Sequence, residues 1–233
     1  MNISSTYNPG FIPPSVLTAT FTQATDQAGE EVFPSLSPSG RLVCYASRPS
    51  GRWDVFLKKI EGGNAVNLTA ASNANNTQPA FSPSGDQIAF RSDRDGGGIF
   101  LMDISGGSVR RLTDFGYNPA WSWDGKEIAC GGEGMMLATF KNTDRSQVFA
   151  VNVASGEKRA MTSERQYAVQ PSWSPQGRRI AFWEARDEGS DIWTVSTRGG
   201  PAVRLTTDGA WNWNPVWSPD GGTCISPASA AAA

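Results

Sequence analysis

The chain has 233 residues, 20 basic against 22 acidic, and no histidine. Near-balanced charge excludes the basic footprint of a nucleic-acid binder and a polybasic patch for an anionic membrane. The missing histidine excludes Ser-His-Asp and Cys-His nucleophile systems, histidine general bases and histidine metal ligands.

The N-terminus has no apolar core flanked by Lys or Arg, and no run approaches the ~20 apolar residues of a membrane span. As encoded, the chain is therefore expected in the cytoplasm, with no direct membrane insertion. Residues 1–20 are expected to be disordered or extended. Phe21-Thr22-Gln23-Ala24-Thr25 then reads as a fourth β-strand without its three predecessors. A propeller needs such a segment when its first strand completes its last blade.

From Pro34 onward one phrase recurs five times: PSLSPSG at Pro34, PAFSPSG at Pro79, PAWSWDG at Pro119, PSWSPQG at Pro171 and PVWSPDG at Pro215. The intervals are 45, 40, 52 and 44 residues, a period that belongs to four-stranded propeller blades among other arrays. Within each unit the apolar segment before the serine is the first strand. Pro-x-Gly makes a tight turn, because proline presets φ and glycine accepts positive φ. LVCYAS, QIAFRS, EIACGG and RRIAFWE read as second strands, and WDVFLKKI, GIFLMDI, SQVFAVNV and DIWTVST as third strands. AVNLT, VRRLT, KRAMT and AVRLT close the units as fourth strands. The alternation fits half-buried antiparallel strands. The third unit departs from the pattern, with Trp123 at the proline position and a long loop that includes Met135 and Met136.

Asp114-Phe115-Gly116 matches the magnesium-binding tripeptide of protein kinases. The histidine of a kinase catalytic loop, the Val-Ala-Ile-Lys strand and a Gly-rich phosphate loop are all missing. The repeat phase makes the tripeptide a link between two units. Asp93-Arg94-Asp95-Gly96 lacks the later ligands and closing Glu of a calcium loop. Cys44, Cys130 and Cys224 form no CxxC pair and fall at apolar strand positions, where buried inert thiols are expected. No catalytic residue, cofactor-binding residue or metal ligand is assigned.

The fifth unit is expected to supply one strand and then stop: after Pro219-Asp220-Gly221 a β-strand and Ser-x-Arg-x-Gly are due, and the chain instead reads Cys224-Ile225-Ser226-Pro227-Ala228-Ser229 and alanines, so the propeller is placed at 21–226 and a low-complexity tail at 227–233. A shifted reading of one ordinary codon choice for residues 224–231 gives His-Leu-Ser-Ser-Glu-Arg-Gly-Gly, the continuation that the repeat requires. A frameshift is the expectation drawn from it, with a cloning remnant or a natural low-complexity end as the alternative.

Pro-x-Trp-Ser-Pro-Asp-Gly, Ile-Ala-Phe-x-Ser, Asp-Ile-Trp and Arg-Leu-Thr in this order resemble the WD40-like PD40 repeats of the TolB family, over roughly residues 21 to 222. The resemblance implies an all-β propeller of four-stranded antiparallel blades, incomplete here, with four full blades and partial strands of others. The wording TDQAGEEVFPSLSPSG and NNTQPAFSPSGDQIAFRSDRDGGGIFLMD resembles the propeller attached to acidobacterial-type serine/threonine kinases. That implies a sensor or scaffold for a protein or peptide partner, and not an enzyme. The alternative is a propeller gating a serine peptidase of the prolyl oligopeptidase class, whose catalytic domain is absent from this chain. TolB members are periplasmic, so an extracytoplasmic setting is implied for an intact parent protein. Open blade edges imply self-association.

Loops on a rigid scaffold carry function. One end of the ring should gather the loops between second and third strands and the links between blades. A recurring Arg-x-x-Gly places Arg48, Arg94 and Arg186 there, and the links add Tyr117, Asn118, Trp211, Asn212 and Trp213. With Trp53, these residues form the candidate binding face, since aromatic and Arg groups suit a protein contact. The competing reading pairs the arginines with local aspartates such as Asp95 and Asp187 and leaves the aromatics as caps on the blades.

Overall fold

Each repeat begins at a serine that closes its own turn. Ser37, Ser82, Ser122, Ser174 and Ser218 accept through Oγ the backbone N–H five residues on, at 3.0–3.1 Å. Their carbonyls accept the N–H of Gly40, Gly85, Gly125, Gly177 and Gly221. One hydroxyl and one glycine thus fix the reversal between first and second strands in all five units.

The computed structural model describes residues 23–25, 29–132, 146–163, 167–186 and 189–229. Phe21, Thr22, Met135, Met136 and Asp187 lie outside them. Four antiparallel blades follow in chain order. The first comprises β1 (Glu31–Leu36), β2 (Leu42–Ser47), β3 (Asp54–Lys59) and β4 (Val66–Asn67). The second comprises β5 (Asn76–Phe81), β6 (Gln87–Ser92), β7 (Gly98–Asp103) and β8 (Arg110–Arg111). The third comprises β9 (Tyr117–Trp121), β10 (Glu127–Gly131), β11 (Val148–Asn152) and β12 (Lys158–Ala160). The fourth comprises β13 (Ala168–Trp173), β14 (Arg179–Arg186), β15 (Gly189–Ser196) and β16 (Val203–Arg204). The expected incomplete propeller is therefore the fold observed.

The outer strands are short, so one N–H in each third strand lies beyond the end of its outer-strand partner. The Thr after each outer strand accepts it. Val55, Ile99, Val148 and Ile192 donate to Oγ1 of Thr69, Thr113, Thr162 and Thr206, each at 3.0 Å. This is the physical content of the repeated Leu/Met-Thr. The core lies between blades. Cys44, Val55 and Leu68 of the first meet Phe81, Phe90, Phe100 and Met102 of the second. Equivalent apolar layers join the second to the third and the third to the fourth.

The fifth unit extends beyond the sequence expectation. Its first strand is β17 (Trp211–Asn212) followed by β18 (Val216–Trp217). Its second is β19 (Cys224–Ile225) followed by β20 (Ala228–Ser229). The pairs Trp217↔Cys224 and Asn212↔Ala228 repeat Phe81↔Ile88 and Asn76↔Ser92 of the second blade. Pro227 interrupts the strand because it lacks an N–H, yet the register resumes past position 226. At the other end, residues 23–25 have no strand assignment, so their described part is not the regular fourth strand expected.

The Asp-Phe-Gly link is structural. Thr113 Oγ1 donates to the Phe115 carbonyl. Phe115 packs edge-on against Phe149 at 5.1 Å, with Lys158 Nζ 4.5 Å from its ring.

Successive turns stack on one another. Gly85 lies against Pro38 and Gly125 against Pro83, whereas Gly177 lies against the indole of Trp123. Gly40 and Gly177 share a φ of +68°, but a Cβ at Gly40 meets open space and one at Gly177 overlaps Trp123. Gly40→Ala is expected to cost roughly 1–2 kcal/mol, the left-handed penalty alone, and Gly177→Ala more. Trp123→Ala should remove most of the excess. Urea midpoints of the two single alanine variants and the double variant check this.

Candidate functional site

A regular strand points alternate side chains at its two faces. Inner strands built that way would address only the neighbouring blades and leave the propeller axis unlined. The sequence prevents this at one residue per repeat. Phe33, Gln78, Asn118, Gln170 and Asn214 each precede the phrase proline, and each has positive φ, between 48° and 54°. A bulge accompanies it in every complete blade. Such φ values are sparsely populated by residues with a Cβ, and recurring strain of this kind clusters at ligand sites.

These five residues, with Pro34, Pro79, Pro119, Pro171 and Trp213, line one depression of about 400 Å³ on the common axis. Among the described residues, no side chain that lines it is charged. Gln78 and Asn118 form a reciprocal pair across neighbouring blades. The Asn118 N–H donates to Gln78 Oε1 at 2.8 Å, and Gln78 Nε2 donates to Asn118 Oδ1 at 3.2 Å. Trp183 Nε1 holds Gln170 Oε1 at 2.6 Å. Asn214 and Trp213 are exposed on the rim. The ring offers amide donors and acceptors on an apolar floor, a set that suits an uncharged polar segment such as peptide backbone.

Of the residues expected to form a face, Asn118 and Trp213 line this site. Arg48 pairs with Glu30 at 2.5 Å and lies 5.0 Å from the Trp53 ring. Arg94 donates to Ser92 Oγ and Asn76 Oδ1, both at 3.0 Å, and covers Phe90 and Phe100. Its guanidinium is drawn inward, and burial, opposed by Asp95, lowers its pKa. The Arg-x-x-Gly is a turn, with Gly51 and Gly97 donating to the Arg48 and Arg94 carbonyls. Tyr117 lies under the Arg91 guanidinium at 4.7 Å. Asn212 is buried and its Nδ2 donates to Asp208 at 2.9 Å. Trp211 is half-buried and pairs through its backbone with Ser190 and Ser229. The backbone of Arg186 pairs with Gly189 at the tip of a hairpin.

Phe33, Gln78, Gln170 and Asn214 escape a reading that begins each repeat at its proline. Extending the phrase one residue upstream collects Phe, Gln, Asn, Gln and Asn, four amides in five repeats.

The protein-family comparison finds the TolB beta propeller domain at residues 14–133 and 119–231. The chain belongs to this family. A TolB propeller domain places it beside two kinds of curated relative. The Tol-Pal system protein TolB of Francisella tularensis is 26% identical over 195 residues, 81% of this chain and 43% of that protein. The uncharacterized peptidase YuxL of Bacillus subtilis is 27% identical over 188 residues, 64% of this chain and 28% of that one. The chain thus spans less than half the length of these relatives. Among solved structures, a putative TolB from Agrobacterium tumefaciens superposes with a TM-score of 0.75 at 22% identity, over 87% of this chain and 71% of that one. An oligogalacturonate lyase in complex with manganese superposes at 0.66 and 17% identity, over 85% and 59%. These structural likenesses carry the fold.

Two buried carboxylates outside the ring are committed to structure. Asp54 accepts from Thr69 and Asn67 and pairs with Arg52 at 3.1 Å, and Asp191 pairs with Arg204 at 2.8 Å. Among the described residues, no three His, Cys, Asp or Glu side chains gather around a common point. Burial raises the Cys44 and Cys130 thiols to about 12 and the less enclosed Cys224 to about 11, from an ordinary 9.0. Because the folded values are raised, the stability these thiols contribute is fully present below pH 9.0 and is lost as pH rises toward their folded values. Urea midpoints should therefore fall above pH 9.0, less steeply in Cys130→Ala. Ellman's reagent at neutral pH should label Cys224 first.

Proposed function

We propose that this TolB propeller domain is a non-catalytic binding scaffold that recognises an uncharged, extended stretch of a protein or peptide partner at its axial ring. The observation that carries the reading is the fivefold repetition of strained backbone before proline, which aims one side chain per repeat at the axis. A fold that only needed closure would not require amides at four of those five positions. The rigid blades hold these groups at fixed spacing, so binding orders little of the scaffold.

The Tol-Pal name of its relatives supports a protein partner and an extracytoplasmic setting for the intact protein. Among the described residues no helix is long and apolar enough to cross a membrane, and the cytoplasmic expectation gains nothing more than that. The kinase-linked sensor remains the narrower form of this proposal. It rests on the wording of the first two repeats, and a kinase reading frame adjoining the gene would support it. A second reading, a propeller gating a peptidase, is favoured by the likeness to YuxL. A hydrolase domain encoded next to this chain would decide for it.

Selection of a random peptide library on the protein tests the main reading. Selected peptides are expected to lose about tenfold in affinity with Asn214→Arg, which puts an unpaired charge on the rim. Trp123→Ala, on the stacked turns, should leave affinity unchanged. Affinity should vary little with salt, because no charge lines the ring. Binding that responds to Trp123→Ala and ignores Asn214→Arg overturns the axial assignment.

A further inference from the structure

Two units depart from the repeated phrase at its turn, and both departures line one depression. The residue after the phrase glycine is basic in the first, third and fourth units, as Arg41, Lys126 and Arg178, and acidic in the second, as Asp86. The residue after the phrase serine is proline in four units and Trp123 in the third. Asp86 and Trp123, with Ser84, Trp121 and Asp124, line a depression of about 420 Å³ at the turns of the second and third blades. It shares no lining residue with the axial ring. Among the described residues that line it, two are acidic and none is basic.

The turns themselves do not call for these departures. The phrase serine of the first, third and fifth units meets the residue two positions on, Ser39, Asp124 or Asp220, and Ser82 has Ser84 in that place. Asp86 adds a carboxylate that accepts from Ser82 and Ser84. Those hydrogen bonds, Ser84 first, hold its carboxyl below the usual carboxylate range, so it is ionised at neutral pH. Among the described residues no lysine or arginine pairs with it. Asp124 Oδ1 accepts from Ser122 Oγ at 2.8 Å and from the Lys126 N–H at 3.2 Å. Its Oδ2 meets Lys126 Nζ at 3.6 Å, on a side chain that is 77% exposed, and such a pair is weak. Stacking on the next turn is done elsewhere by proline, as Pro38 on Gly85 and Pro83 on Gly125 show. Trp123 seats the Cδ1–Nε1 edge of its indole against Gly177 and is nevertheless 60% exposed.

We propose that this depression binds an arginine side chain from a basic segment of a partner protein. A guanidinium is planar and weakly hydrated. It stacks on an exposed indole and directs parallel N–H donors at a carboxylate. An ammonium is a compact, strongly hydrated point charge and matches that pairing of groups less well. Ser84, Asp86, Trp123 and Asp124 are all exposed, so the depression does not enclose a small cation as a ligand pocket would. A partner segment brings its own cover, and Trp and Arg are the residues that dominate such contacts.

The probe is the acetylated and amidated peptide Gly-Arg-Gly-Arg-Gly, titrated into the full chain by calorimetry and followed at the indole N–H resonance of Trp123. Expected is saturable binding that moves this resonance and weakens as salt is raised. The same peptide with citrulline for both arginines should fail to bind. Asp86→Asn and Trp123→Ala should each weaken binding about two- to fivefold, with urea midpoints showing that both variants are folded. Lys126→Ala removes the cation that competes at Asp124 and should tighten binding by about twofold, a gain that damage to the fold would not produce. Asn214→Arg, on the axial rim, should leave this binding unchanged. Equal binding of the citrulline peptide, a stationary Trp123 resonance, or indifference to both Asp86→Asn and Trp123→Ala overturns the proposal. So does free arginine amide binding as tightly as the peptide, which makes a small cation the occupant. Light scattering that finds a dimer dissociated by Asp86→Asn makes a second copy the occupant and overturns it as well.

Discussion

The residue before each phrase proline governs the molecule. A proline ring crowds the residue preceding it and disfavours the right-handed helical region there. In five repeats that residue instead takes positive φ and swings out of the strand's alternation. The bulge that results lets one ladder serve two purposes. On either side of it the inner strand keeps register with its neighbour and buries apolar side chains between blades. At the bulge it presents one side chain to the axis. A regular strand could do the first and not the second.

Hydroxyl groups make the short outer strands workable. An outer strand of two or three residues leaves the third strand with unpaired backbone groups, which are costly to bury. The threonine after it accepts one of those N–H groups in all four blades, and the phrase serine does the equivalent work at the first turn. Short outer strands also present little edge to other chains. The fifth unit lacks this arrangement. Among the described residues, no threonine-capped strand lies beside its second strand, β19 and β20.

Much of the fold is legible in the sequence because the repeat is written in residues whose roles are local. Ser-Pro-x-Gly determines a turn, and Leu-Thr determines the end of a blade, whatever surrounds them. The three thiols fall in phase with Ala89, Phe90 and Ile88 for the same reason. The site is legible only in part. Arg48 and Arg94 look like surface groups in a loop. Their guanidinium groups turn back onto Trp53, Phe90 and Phe100, because stacking lets a long cation keep its charge solvated while its stem covers apolar surface. Gln78 and Gln170 look like ordinary polar residues at a strand's start. Their placement at the axis depends on a backbone angle that no residue type announces, since Gln and Phe are not residues that favour positive φ.

The same reasoning bears on the chemistry that the ring offers. Catalytic groups are tuned by burial next to charge. Here the two buried carboxylates with resolved partners, Asp54 and Asp191, are neutralised by arginine and threonine inside single blades, away from the axis. The axis itself carries amides, which hydrogen-bond without exchanging protons near neutral pH. A ring of amides on rigid strands can discriminate shape and backbone polarity, and among the described residues that line it no side chain is charged. Recognition is the chemistry that this arrangement of residues supports.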